Sequence, residues 1–98
     1  MEQAENKKAS TFGVITMLPR IKTIKPDKKF VLHIEFDDGK KVLYDMKEDM
    51  DTLPGYDDLR KINGLFEAVS VDESRTCIMW NDYIDLPSDT LYEYGEVI

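Results

Sequence analysis

Chemistry in this chain would have to start from one histidine, His33, one cysteine, Cys77, and a large supply of carboxylates. Zinc and iron–sulfur centres need several convergent nitrogen or sulfur ligands, and His33 and Cys77 with scattered acids do not supply them within one copy. No metal site is expected. His33 shares a strand face with Val31 and Glu35, which reads as a sheet residue rather than a base or ligand. Cys77 lies in a short apolar, strand-prone run and reads as a small packing residue rather than a nucleophile.

The densest chemistry is acidic. Residues 45–58 carry Asp45, Glu48, Asp49, Asp51, Asp57 and Asp58 against Lys47 alone, interrupted by Pro54-Gly55. Asp49 and Asp51 have the first-and-third spacing of an EF-hand loop. However, Pro54 stands where the sharp turn wants glycine, and Arg60 where a bidentate Glu is wanted, so the calcium reading fails. What remains is a solvated acidic loop. Glu48, Asp49, Asp51, Asp57 and Asp58 are its candidate contacts to a basic protein partner. Paired carboxylates for hydrolysis could be drawn from 20 acids almost at will, so their presence says little without a substrate cleft. The sequence has no nucleophile elbow, phosphate-cradling glycine loop or dinucleotide fingerprint, so no catalytic residue is nominated and no cofactor is expected. The reading leans away from an enzyme. A second candidate patch is Trp80, Asp82, Tyr83 and Asp85, where aromatic faces and short polar groups alternate as they do in interface anchors. Trp80 reads first as core beneath a final helix, the patch being the second reading, and Asp85 could simply cap that helix.

These side chains belong to 98 residues, enough for one modest core that buries about 65 per cent of the unfolded surface. With 42% hydrophobic and 34% charged residues the composition is that of a folding soluble domain. Thirteen Lys and Arg against 20 Asp and Glu leave a net charge of −7. Nucleic-acid binding draws most of its affinity from cations on phosphate, so direct binding to DNA or RNA is not expected. No apolar run approaches a membrane span, the amino terminus lacks the apolar stretch of a secretion signal, and a lone cysteine fits a reducing cytoplasm.

Residues 1–11 are polar and are expected to form a mobile extension, leaving 12–98 as a single domain. Phe12, Val14, Ile15, Met17 and Leu18 form an apolar cluster that could be a docked arm, an edge strand or a partner-facing surface; docking within the domain is favoured. Ile21 and Ile24 precede a turn at Pro26-Asp27. Phe30, Leu32, Ile34 and Phe36 then alternate as a half-buried strand, and Asp37-Asp38-Gly39 supplies a hairpin turn into Val42, Leu43 and Tyr44. A type I turn closed by a glycine bulge sets Ile34 opposite Val42, Leu32 opposite Tyr44 and Glu35 opposite Lys41. Regular structure is expected to be weak over 45–58. A short central helix should then run to about Lys61, capped by Asp57 or Asp58, with Leu59 and Ile62 on its apolar side and Gly64 past its end. Residues 66–72 and 75–80 read as a second hairpin. A short helix between Pro87 and Tyr94, capped by Asp85, Ser88 or Asp89 and ended by Gly95, completes the chain.

The order of these signals carries a resemblance. Pro19-Arg20-Ile21-Lys22-Thr23-Ile24-Lys25-Pro26, then Leu32 through Asp38-Gly39, then Val69-Ser70-Val71-Asp72, then Trp80-Asn81 and Asp85-Leu86-Pro87-Ser88-Asp89-Thr90-Leu91-Tyr92-Glu93 together resemble the small bacterial family catalogued as domain of unknown function 2442. The resemblance implies a small α+β fold with an antiparallel sheet, a bacterial cytoplasmic setting and no established activity. Some relatives look fused to a helix-turn-helix domain. Others lie beside a second small reading frame, which suggests toxin and antitoxin pairing by analogy.

The expected fold is therefore α+β: two antiparallel hairpins in one twisted sheet of four or five strands, with a short central and a short C-terminal helix. The strand over 20–26 or the one over 75–80 could serve as a free edge for a second copy or another protein, giving a homo-oligomer through a sheet edge. The leading functional expectation is a non-catalytic interaction module, the acidic antitoxin-like member of a bacterial pair. The alternative is a small-molecule binding domain built on residues 80–83.

Overall fold

The computed structural model describes residues 18–98. The expectations for residues 1–11 and for Phe12, Val14, Ile15 and Met17 lie outside the described residues; Leu18 is exposed. In chain order the elements are β1 (Ile21–Pro26), β2 (Val31–Phe36), β3 (Lys41–Asp45), α1 (Lys47–Thr52), α2 (Asp58–Lys61), a 3-10 turn (Phe66–Ala68), β4 (Ser70–Val71), β5 (Cys77–Met79), β6 (Asp85–Pro87), α3 (Ser88–Tyr94) and β7 (Glu96–Val97). The fold is α+β, as expected.

The alternation in β2 does what period-2 patterning requires: Leu32, Ile34 and Phe36 are buried while His33 faces out. Its partner register is the one the hairpin arithmetic gives, with Ile34 opposite Val42, Leu32 opposite Tyr44 and Glu35 opposite Lys41. Gly39 closes the turn at φ 94°, and its N–H donates to the Phe36 carbonyl at 2.9 Å. The β1–β2 connection repeats this turn with a different residue in the strained place. Phe30 sits at φ 63°, its N–H donates to the Asp27 carbonyl at 3.3 Å, and the Asp27 N–H donates to the Val31 carbonyl at 3.0 Å. A left-handed phenylalanine costs on the order of 1–2 kcal/mol. The Asp27 carboxylate, which accepts from the N–H groups of Lys29 and Val31, and the edge-on packing of the Phe30 ring against Phe66 at 5.2 Å offset that cost. Arg75, at φ 62°, fills the corresponding place between β4 and β5.

The strands form two sheets rather than the single twisted sheet expected: a four-stranded one in the order β1-β2-β3-β7 and a three-stranded one in the order β4-β5-β6. Both contribute to one core, in which Ile21, Leu32, Ile34, Phe36 and Val42 from the first meet Ile78 and Leu86 from the second, with Met50, Leu59, Phe66, Trp80 and Leu91 between. The division also corrects the expected free edge over residues 75–80. β5 is paired on both sides, to β4 through Val71 opposite Ile78 and to β6 through Ile78 opposite Leu86.

Further corrections are local. Residues 47–52 are helical rather than irregular, because Met46 and Met50 lie one turn apart and are both buried. Neither Asp57 nor Asp58 caps α2 with its side chain, since the Asp57 carboxylate is held by the Lys61 ammonium at 2.9 Å; Leu59 is buried and Ile62 is exposed. Phe66–Ala68 turns before the strand begins, so β4 is shorter than the alternation of Val69 and Val71 suggests. Among the described residues, no side chain caps α3. Instead, α3 is pinned to the β2–β3 turn: the Tyr92 hydroxyl donates to Asp38 at 2.6 Å, the Lys40 ammonium donates to the Tyr92 carbonyl at 2.9 Å, and the Tyr92 ring meets Phe36 edge-on at 4.9 Å. Gly95 then ends the helix in extended backbone, at φ −69° and ψ 152°, and feeds β7.

Candidate functional site

The acids of residues 45–58 separate once the chain folds. Asp45 closes β3, and its carboxylate accepts the Lys47 N–H at 2.9 Å, starting α1 and swinging Glu48 and Asp49 into its first turn. Tyr44, one residue earlier, donates its hydroxyl to Asp49 at 2.7 Å and ties the helix to the strand. Burial, reinforced by the Asp49 hydrogen bond and the Glu48 charge, pushes the Tyr44 phenol well above its ordinary value, so it remains a proton donor through the physiological range.

The opposite wall comes from the far end of the chain. Pairing of Leu43 with Glu96 and of Val42 with Val97 returns β7 alongside β3. Gly95 makes that return feasible: a Cβ there would stand 2.8 Å from the Val42 side chain and 2.6 Å from the Leu91 carbonyl. The result is an open groove of about 420 Å³ lined by Tyr44, Asp45, Glu48, Asp49, Tyr94 and Glu96 along with Leu43. Four carboxylates and two phenols face it, and among the described residues its lining includes no Lys or Arg. Lys47 pairs with Asp45 at 3.1 Å while donating to the Lys29 carbonyl at 2.8 Å, so the acidity of the site rests on Glu48, Asp49 and Glu96. The Tyr94 side of the groove is open to solvent, that residue being 73% exposed.

Of the acids nominated from sequence, Glu48 and Asp49 thus reach a common site. Asp51, Asp57 and Asp58 do not. Asp51 is engaged by the Arg60 guanidinium at 2.7 Å, Asp57 by Lys61, and Asp58 opens α2. Sequence reasoning missed the roles of Tyr44, Tyr94 and Glu96. The Tyr44-to-Asp49 spacing was a usable signal; Glu96 arrives only through the β3–β7 pairing.

The second nominated patch divides between core and surface. Trp80 is 7% exposed, stacks on Phe66 at 6.2 Å and donates its indole N–H to the Phe66 carbonyl at 3.0 Å. Its ring is core. Tyr83 is 88% exposed at the tip of the β5–β6 connection, where the Asn81 side chain accepts the N–H groups of Tyr83 and Ile84 at 2.8 and 3.0 Å. Asp82 and Asp85 are exposed beside it. Asp85 lies in β6 and does not cap α3, and its carbonyl accepts the Tyr56 hydroxyl at 2.7 Å.

Burial pushes the Cys77 thiol above its ordinary value, and the charges of Asp85 and Asp72 add to that effect. His33 pairs with Asp27 at 2.9 Å on the open face of the four-stranded sheet. A larger open groove of about 550 Å³ lies by Leu18, Pro19, Arg20, Phe36, Asp37 and Asp38, where charges of both signs meet.

Among the described residues, no helix is long and apolar enough to cross a membrane. Neither the curated proteins nor the solved structures contain a match to this chain. The model of the family described as protein of unknown function (DUF2442) matches residues 21–96, from the first residue of β1 to the Glu96 wall of the groove. The chain belongs to the DUF2442 family.

Proposed function

We propose that this domain is a non-catalytic protein-interaction module that takes a basic partner into the groove between β3, α1 and β7, acting in the cytoplasm as the acidic, antitoxin-like member of a bacterial toxin and antitoxin pair. The observation that carries the reading is the concentration of Asp45, Glu48, Asp49 and Glu96 around Tyr44 and Tyr94 in one open groove whose lining holds no cation among the described residues. Carboxylates beside an exposed aromatic ring, here Tyr94, attract Lys and Arg side chains both by charge and through the ring face. The net charge of −7 favours encounter with a basic surface over the longer range. A small-molecule reading centred on residues 80–83 has less behind it, because the Trp80 ring and indole N–H are already used inside the core.

The test is titration of a fluorescent oligo-lysine probe at low and moderate salt. Binding is expected to weaken with salt and to fall by roughly tenfold or more in a Glu48→Lys/Glu96→Lys variant, a change of about 1.4 kcal/mol or more. Asp51→Lys, away from the groove, should change it little. Absence of binding at low salt, or equal loss from Asp51→Lys, overturns the reading.

A further inference from the structure

The groove lies against the β7 edge of the four-stranded sheet, which keeps main-chain groups turned outward. In the β3–β7 ladder the Ile98 N–H donates to the Lys41 carbonyl at 3.0 Å, and Leu43 pairs with Glu96. Antiparallel ladders alternate hydrogen-bonded and non-hydrogen-bonded pairs, so the intervening pair, Val42 with Val97, turns the N–H and carbonyl of Val97 away from β3. The same alternation, carried through the extended backbone of Gly95, sends that residue's carbonyl to the same side. Among the described residues β7 is the last strand in its sheet; it carries exposed Glu96 and Val97 (62% exposed), and Ile98 (66%) follows it. A strand edge with outward main-chain groups is a template for another strand, and exposed Glu96 on this one favours a cationic segment.

We propose that this edge receives an extended, cationic segment of a partner protein by strand addition to β7, with main-chain bonds at Val97 and basic side chains reaching Glu96, Glu48 and Asp49 in the adjoining groove. The proposal rests on the reading of the groove as a basic-partner site and adds how the partner is held. Charge complementarity selects the occupant. A second copy laid strand to strand on β7 would bring its own Glu96 to a groove that already holds four carboxylates, whereas a segment alternating Lys with a β-branched residue offers charge on the face of Glu96 and apolar surface on the opposite face to Val97.

The experiment compares two probes on the full chain: a peptide alternating Lys and Val, and the same peptide N-methylated at alternate residues, which retains the charge and removes the donors of one edge. The alternating peptide should bind, the methylated one roughly tenfold or more weaker, and exchange of the Val97 amide should slow on binding. Val97→Pro removes the outward N–H and leaves the bonds of Glu96 and Ile98 in place, so it should weaken the unmodified peptide more than Val97→Ala, which trims the side chain and keeps the N–H, without unfolding the domain. Equal binding of both peptides, still lost in Glu48→Lys/Glu96→Lys, overturns strand addition and leaves the groove reading standing. Failure of both peptides at low salt overturns both. A homodimer in sedimentation that Val97→Pro dissolves also overturns the proposal, because the edge is then filled by a second copy.

Discussion

The two edges of the four-stranded sheet are built on opposite terms. β1 is defended along its length: Lys22 and Lys25 are exposed on it, a register shift between Ile21 and Thr23 twists it, and Pro26 removes a donor at its end. Its start is also occupied, since the Ile21 N–H donates to the Arg75 carbonyl at 2.8 Å and the Arg75 guanidinium grips Asp37 through two bonds of 2.9 and 2.8 Å. β7 has no lysine, bulge or proline, and its protection is limited to its two-residue length and the charge of Glu96. It is short, flanked by exposed Tyr94 and Ile98, and opens onto the acidic groove. One edge of the sheet is thus held by lysines, a bulge and proline, and the other only by its shortness and one carboxylate.

The difference can be broken from the β7 side with the largest effect. Gly95→Ala puts a methyl against the Leu91 carbonyl and the Val42 side chain, so overpacking should cost about 1–3 kcal/mol in urea unfolding and detach β7, abolishing probe binding at the groove. On the guarded side the effect is smaller. Arg75→Ala removes the exposed pair with Asp37 and should cost about 1 kcal/mol while leaving probe binding unchanged. Arg75→Gly loses the same pair but relieves the positive φ, so it should be more stable than Arg75→Ala by about 1 kcal/mol. If the two variants unfold together, the left-handed arginine stores no strain.

Smaller still are two pH effects. The Tyr44 phenol is raised in the folded protein, first by burial and then by Asp49, so the folded state holds its proton more tightly than the unfolded chain. The resulting stability is fully present below about pH 10, the unfolded tyrosine value, and is lost as pH rises beyond it. Tyr44→Phe should flatten that alkaline limb. At the other end, the Tyr92 hydrogen bond holds the Asp38 carboxyl below its ordinary range. Its contribution is present above about pH 4 and is lost as pH falls through the lowered value, so Tyr92→Phe should soften the acid limb. Denaturant midpoints across pH check both signs.

The β2–β3 hairpin was legible from sequence because three local signals agree there: alternation of Leu32, Ile34 and Phe36, a glycine where φ is positive, and opposite charges at Glu35 and Lys41. The turn before it was read only as a turn, since Phe30 occupies the left-handed place usually given to glycine. α1 was missed because its surface is acidic and its buried face is little more than Met46 and Met50. β6 was absorbed into the expected start of α3, where Pro87 suits a first helical turn as well as a strand end. β7 has no periodicity to detect in two residues and exists through its partner, β3. For that reason the groove was half legible. Glu48 and Asp49 stand in an evident acidic run, whereas Glu96 and Tyr94 join them only by tertiary pairing.

The most direct measurement is an amide chemical-shift map of the full chain on titration with the alternating Lys-Val peptide. The account predicts shifts at Leu43, Tyr44, Glu48, Glu96 and Val97, with Ile24 and Lys25 on the guarded edge unmoved. Shifts concentrated on β1, or around Tyr83, would contradict it.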